Sequence, residues 1–231
     1  MMMKKINLIA LSFLMLLAAC STDSDDSDDF DASVVCPAEG TNAYGMPNRG
    51  TFVDERDGQV YRYTTIGNQV WMAENLRYKM ENSVCYKGLE EECERSGRLY
   101  ALTEVTMYIS GVINEKIGTK NQAMIDSVCP PTWHVPSLAE WETLEKSFGK
   151  DVAQKIFNEE CSFSNAGRGE AFRAYTSNSS YEMTYIRGDG LCFATTTMNT
   201  YKTLWSVSFF KDGESRDDSS VMFLSIRCVK D

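Results

Sequence analysis

The run Leu16-Leu17-Ala18-Ala19-Cys20 limits what this chain can fold into more than any other stretch. Lys4 and Lys5 form a positive start, residues 6–17 an apolar centre, and Ala18-Ala19 a small-residue end: the three parts of a cleaved export signal. A membrane-spanning helix needs roughly 20 apolar residues, and this run is shorter. Residues 1–19 therefore drop out of the fold. The remaining chain folds outside the cytoplasm, where oxidising conditions favour paired cysteines.

The residues up to Cys20 resemble the lipobox of bacterial lipoproteins, whose cysteine thiol carries a diacylglycerol. The resemblance implies a lipid anchor at Cys20 and a membrane as the first partner, since stable anchoring takes more than one acyl chain. Ser21, rather than Asp, after Cys20 resembles the outer-membrane sorting pattern. The acidic stretch Asp23 to Asp29 resembles the export tag of lipoproteins that face the cell exterior.

Loss of Lys4 and Lys5 takes the net charge from −10 to −12. Six of those charges are Asp23, Asp25, Asp26, Asp28, Asp29 and Asp31, a run that favours a solvated, extended chain. Residues 20–47 thus read as an acidic, disordered tether. A calcium loop starting at Asp23 fails, because Asp28 stands where Gly is needed and Val34 where Glu is needed. No basic patch points to nucleic acid. Residues 48–231 form one domain's worth of chain, and 4 Trp, 11 Phe and 11 Tyr give the chain bulk for a core.

Beyond Cys20 and Cys36, six cysteines fall in the domain: Cys85, Cys93, Cys129, Cys161, Cys192 and Cys228. They suggest three disulfides, with fifteen connectivities open. Zinc is disfavoured, as no pair has the short spacing of a zinc knuckle and His134 is the only histidine.

Asp57-Gly58 and Gly67-Asn68 separate three strand-like runs, which predicts a three-stranded meander from about Gly50. Leu99, Leu102, Val105 and Ile109 recur at helical spacing. Ser137-Leu138-Ala139-Glu140 is a capping box ahead of Trp141, Leu144 and Phe148, with Gly149 as a stop. Val152, Ala153, Ile156 and Phe157 suggest a short helix. Residues 161–203 lack a sustained period and read mostly as loop. Residues 204–209 and 221–226 read as a terminal antiparallel pair around Asp212-Gly213. Strands, helices, loops and strands in that order make an α+β domain.

Three segments together resemble the Fibrobacter succinogenes major paralogous domain family. They run from Thr65-Ile66-Gly67-Asn68-Gln69-Val70-Trp71 to Leu76, from Cys129-Pro130-Pro131-Thr132-Trp133-His134 to Trp141, and from Phe223-Leu224-Ser225-Ile226-Arg227-Cys228 to Asp231. Cys85 to Cys93 with Gly97-Arg98-Leu99-Tyr100 falls in the same order. The family resembles a variant of the C-type-lectin-like fold: an antiparallel sheet holding both chain ends, two main helices, and long loops opposite. The resemblance implies the pairs Cys85–Cys93 and Cys129–Cys228, which leaves Cys161 with Cys192 and Cys36 odd. Residues 190–196 depart from the family's Trp-rich pattern, so its ligand carries over least there.

No serine has a nucleophile-elbow setting, and His134 reads as a packed, hydrogen-bonded residue rather than a general base. The calcium tripeptides of lectins are missing, so the fold analogy implies neither calcium nor sugar. No cofactor or metal is expected. Tyr181, Tyr185 and Arg187 are the candidate binding residues, in a stretch rich in aromatics, Arg, Ser and Asn. The expectation is a non-catalytic binding domain for a glycan or protein ligand. The alternatives are an enzyme of the formylglycine-generating type, with Cys161 and Cys192 as its redox pair, and a purely structural envelope protein.

Overall fold

The computed structural model describes residues 30–81, 83–102, 105–109, 112–117, 125, 127–163, 171–177, 180–186, 190–198, 204–210, 213–218 and 221–231. The described structure begins well inside the expected tether. The Asp31 carboxylate accepts from the Ser33 amide at 2.9 Å and caps a one-turn helix, α1 (Ala32–Val35). Phe30 stacks on Phe148 at 5.5 Å, and Arg49 donates to the Cys36 carbonyl at 2.7 Å. Cys36 is fully buried. The tether reading is thereby corrected for residues 30–47. An aromatic at one end and a cysteine at the other hold an otherwise polar strap against the body.

Strands β1 (Arg49–Val53), β2 (Val60–Ile66) and β3 (Gln69–Met72) form the antiparallel meander the sequence predicts. Gly58 and Gly67 take left-handed φ values of 77° and 56°, which a glycine adopts without steric cost. The first connection is longer than a two-residue turn, because the Asp54 amide still donates to the Gln59 carbonyl at 2.8 Å. Strand β4 (Ser83–Val84), helix α2 (Glu90–Ser96) and strand β5 (Leu99–Tyr100) come next, then the hairpin of β6 (Val105–Ile109) and β7 (Val112–Ile117). The helix predicted from Leu99 to Ile109 is therefore strand at both ends. Val105, Thr106 and Ile109 are β-branched, and that preference outweighs the helical spacing.

The two-residue strand β8 (Trp133–His134) leads into α3 (Leu138–Phe148), with its capping box in place. Trp141, Leu144 and Phe148 are fully buried on one face of α3. The expected short helix is α4 (Val152–Phe157). Residues 161–203 are not mostly loop. They contain β9 (Ala171–Ser177), β10 (Ser180–Ile186) and β11 (Gly190–Met198). Their apolar alternation is diluted by Ser and Thr, which hid it in the sequence. Strands β12 (Leu204–Phe210), β13 (Gly213–Asp218), β14 (Val221–Ser225) and β15 (Val229–Lys230) complete the chain. The expected pairing of 204–209 with 221–226 is also corrected. The charged run β13 takes the place beside β12, and β14 lies between β9 and β11.

Two main sheets result. One has the order β1-β2-β3-β15-β8, antiparallel throughout; the other runs β10-β9-β14-β11-β12-β13, with β5 and β4 joined through β14. Alternation along the five-stranded sheet divides the core. Tyr61, Tyr63, Val70, Met72 and Trp133 enter one cluster, while Ile66, Trp71 and Val229 join Trp141, Phe148 and the strap in the other.

Three disulfides staple this α+β domain. Cys85–Cys93 and Cys129–Cys228 form as the resemblance implies. Cys161 pairs with Cys36, not with Cys192. Cys161 packs in the cluster that receives the strap, whereas Cys192 on β11 packs in the other, where Ser208 Oγ donates to its sulfur at 3.2 Å. Peptide mapping under non-reducing conditions should recover a Cys36–Cys161 peptide pair. Cys36→Ser should cost on the order of 2–5 kcal/mol in denaturant unfolding. A Cys161–Cys192 peptide would contradict this arrangement.

Candidate functional site

Curling of the five-stranded sheet brings its two edges together. Phe52 on edge strand β1 stacks on Trp133 on edge strand β8, with ring centroids 4.5 Å apart and planes 17° apart. A cleft of about 400 Å³ opens over this contact. Its floor is Phe52, Trp133 and Tyr63, its walls are Met46, Pro130 and Pro131, and Val53, Glu55, Thr132 and Lys230 reach its rim. A volume of this order suits a small ligand or a few residues of a chain.

Both ends of the cleft are built. At the hairpin end Asp54, wholly buried, pairs with Arg56, with Nε–Oδ1 at 2.9 Å and Nη2–Oδ2 at 2.7 Å. Arg56 Nη1 then donates to the carbonyls of Ser127 and Val128 at 2.7 and 3.0 Å, and its guanidinium lies 3.8 Å over the Tyr78 ring. This ties the β1–β2 turn to the segment ahead of Pro130. At the other end Lys230 Nζ donates to Thr132 Oγ1 at 2.8 Å and lies 5.6 Å from the rings of both Tyr44 and Trp133. The Tyr44 hydroxyl donates to the Lys230 carbonyl at 3.3 Å, so the strap borders the cleft. Gly50 is required here, because a Cβ would stand 2.6 Å from the Tyr63 hydroxyl.

Tyr181 and Tyr185 fall in β10, an edge strand of the larger sheet, whereas β1 and β8 belong to the other; Arg187 lies outside the described residues. The cleft has no counterpart among the sequence expectations. Phe52 and Trp133 carry no joint signal, since 80 residues separate them and only the curled sheet unites them. Among the described residues, Cys85, Glu90 and Cys93 form the one grouping compact enough for a metal ion, and two of the three are held in a disulfide.

His134 sits just behind the cleft, beside Trp133. Its Nε2 is 2.7 Å from Glu140 Oε1 and its Nδ1 is 2.6 Å from Asp231 Oδ1. The Glu140 hydrogen bond raises the imidazole pKa, partial burial opposes it, and the Asp231 bond adds to the rise. Partial burial pushes Glu140 up, but hydrogen bonds from His134 and Ser137 outweigh it and hold the carboxyl below its ordinary value. With both ring nitrogens engaged by carboxylates, the imidazole braces the start of α3.

The result is a mostly antiparallel, disulfide-stapled α+β domain with an aromatic cleft between two sheet edges. The chain belongs to the Fibrobacter succinogenes major domain family, whose model matches residues 64–230. No curated protein and no solved structure matches this chain.

The His134 cluster makes stability pH-dependent in two directions. Protonated His134 stabilises the fold below its ordinary value of 6.5, and that contribution is lost as pH rises through its raised folded value. Ionised Glu140 contributes above its ordinary 4.5, and that is lost as pH falls through its lowered value. The cluster therefore contributes most between 4.5 and 6.5. Melting temperature against pH should show the alkaline loss in the native chain and a flatter alkaline arm in His134→Gln.

Proposed function

We propose that this protein is an outer-membrane lipoprotein, anchored through acylated Cys20 and facing the cell exterior, whose domain binds a ligand without catalysis. The domain is read as a variant of the C-type-lectin-like fold. The observation that carries the binding reading is the cleft between β1 and β8, an apolar, aromatic-floored hollow with charged groups at its rim. The non-catalytic part is supported by the cysteines. A redox pair of Cys161 and Cys192 is not available while Cys161 is bonded to Cys36, and Cys192 is 5% exposed.

The cleft takes over from Tyr181, Tyr185 and Arg187 as the leading candidate surface. Its ligand is a protein segment or a glycan, and the chemistry of the β1 edge decides between them. Anchoring is tested separately. Cys20→Ala should abolish incorporation of labelled palmitate and release the protein from the membrane; unchanged labelling would refute the anchor. Protease added to intact cells should degrade the domain.

For the cleft itself, Pro131→Glu places a charge in the lining at a position that is already exposed, so the fold should survive. Retention of the chain's ligand on cells or on an array should fall about tenfold or more, as expected when an apolar contact is replaced by an unpaired charge. Tyr181→Ala and Tyr185→Ala should leave it unchanged. The reverse pattern would move the site to β10.

A further inference from the structure

We propose that the cleft receives an extended segment of a partner polypeptide, which adds as a strand to the outer edge of β1. This rests on the cleft as the binding surface and names its occupant.

The register of β1 shows which groups are on offer. The Thr65 amide donates to the Asn48 carbonyl, and the Asp54 amide to the Gln59 carbonyl, so 48/65 and 54/59 are hydrogen-bonded pairs. Such pairs alternate along an antiparallel ladder. Gly50 and Phe52 therefore bond inward to Tyr63 and Tyr61, their partners in the register. The amides and carbonyls of Thr51 and Val53 point outward from the sheet, and they have no hydrogen-bond partner among the described residues. Thr51 and Val53 are both exposed.

Proteins usually guard such an edge with a proline, a lysine, a bulge or a covering element. Among the described residues, none stands along Thr51 to Val53. Instead each face beside the edge carries an apolar contact. Phe52 opens onto the cleft on one side, while on the other Val53 and its cross-strand partner Val60 are 55% and 52% exposed. A strand laid along β1 would place alternate side chains into the cleft and onto the Val53–Val60 pair, in the manner of β-strand addition.

Charge selects the occupant further. At the start of β1, Arg49 is already engaged by the Cys36 carbonyl and Ser162 Oγ, at 2.7 and 2.9 Å. Glu55 and Asp57 stand exposed beyond its end, where Arg56 is already paired with Asp54. A complementary segment carries a basic side chain near the Glu55 and Asp57 end. A second copy of this chain fits poorly, because its own β1 edge exposes no bulky side chain that could fill the cleft. A glycan fits less well too. Trp133 and Tyr63 are each only 6% exposed, leaving little free ring face for a sugar, and Thr132 and Lys230 are bonded to each other.

The test uses the full chain in detergent and a displayed library of random decapeptides. Selected peptides should slow hydrogen exchange at the Thr51 and Val53 amides. Thr51→Pro removes an outward amide without touching the ladder to β2, and should weaken these peptides about tenfold or more, a loss comparable to one or two hydrogen bonds. Thr51→Val, which keeps the amide, should bind as the native chain does. Melting curves of Thr51→Pro within a few degrees of the native chain establish that it is folded. Failure to select any peptide, equal affinity in Thr51→Pro, or unprotected amides at 51 and 53 would overturn the proposal. A glycan array hit that Thr51→Pro leaves intact and Pro131→Glu abolishes would overturn the peptide occupant while sparing the cleft. Peptide affinity unmoved by Pro131→Glu would sink both.

Discussion

A guanidinium with no exposed surface holds the domain together. Arg227 donates through Nε and Nη2 to Asn75 Oδ1 at 3.2 and 2.7 Å and lies 4.2 Å over Phe163 and 5.1 Å from Phe193. Burial pushes it down to about 9, so it is still charged at neutral pH and the fold must supply its surroundings. Desolvating such an ion costs several kcal/mol. The compensating groups come from the segment after β3, the segment after Cys161, and β11. The next two residues are Cys228, bonded to Cys129, and Val229, which pairs with both Trp71 and His134. The charge is therefore satisfied only when the two sheets and the closing strand are assembled together.

This dependence explains which parts of the architecture are legible in the sequence. The glycine turns at 58 and 67 and the Ser137–Glu140 box act over a few residues, and each stands where the sequence places it. Disulfides Cys85–Cys93 and Cys129–Cys228 are legible through motif resemblance. The strands of 171–198 are not, because a period of two carried by Thr, Tyr and Ser resembles loop composition. The Cys36–Cys161 bond is not legible either. It spans 125 residues, and no local signal tells a cysteine in an acidic segment that it belongs to the core.

The cleft is a product of curvature, which sequence patterns describe poorly. Every strand of the five-stranded sheet is readable or short, yet nothing in any one of them says that β1 and β8 will meet. Their contact depends on the Asp54–Arg56 clamp at one end and on Tyr44 and Lys230 at the other. Those two fastenings draw on residues 44, 54–56, 127–128 and 230, so the hollow between them arises only in the assembled domain. A buried ion pair is weak evidence for stability. Here the pair matters for shape, since Arg56 directs its remaining donor to the far side of the gap.

The strap has a mechanical consequence. Nine residues separate Cys20 from Phe30, a leash of roughly 30 Å at full extension. For a domain held at Cys20, tension from a partner gripped at β1 passes along the leash to Cys36 and enters the body through the covalent bond to Cys161. Residues 37–48 run from Cys36 straight into β1, so they carry load in parallel with that bond. The disulfide thus gives tension a second covalent route into the body, and the segment that shapes the mouth of the cleft bears only a share of it.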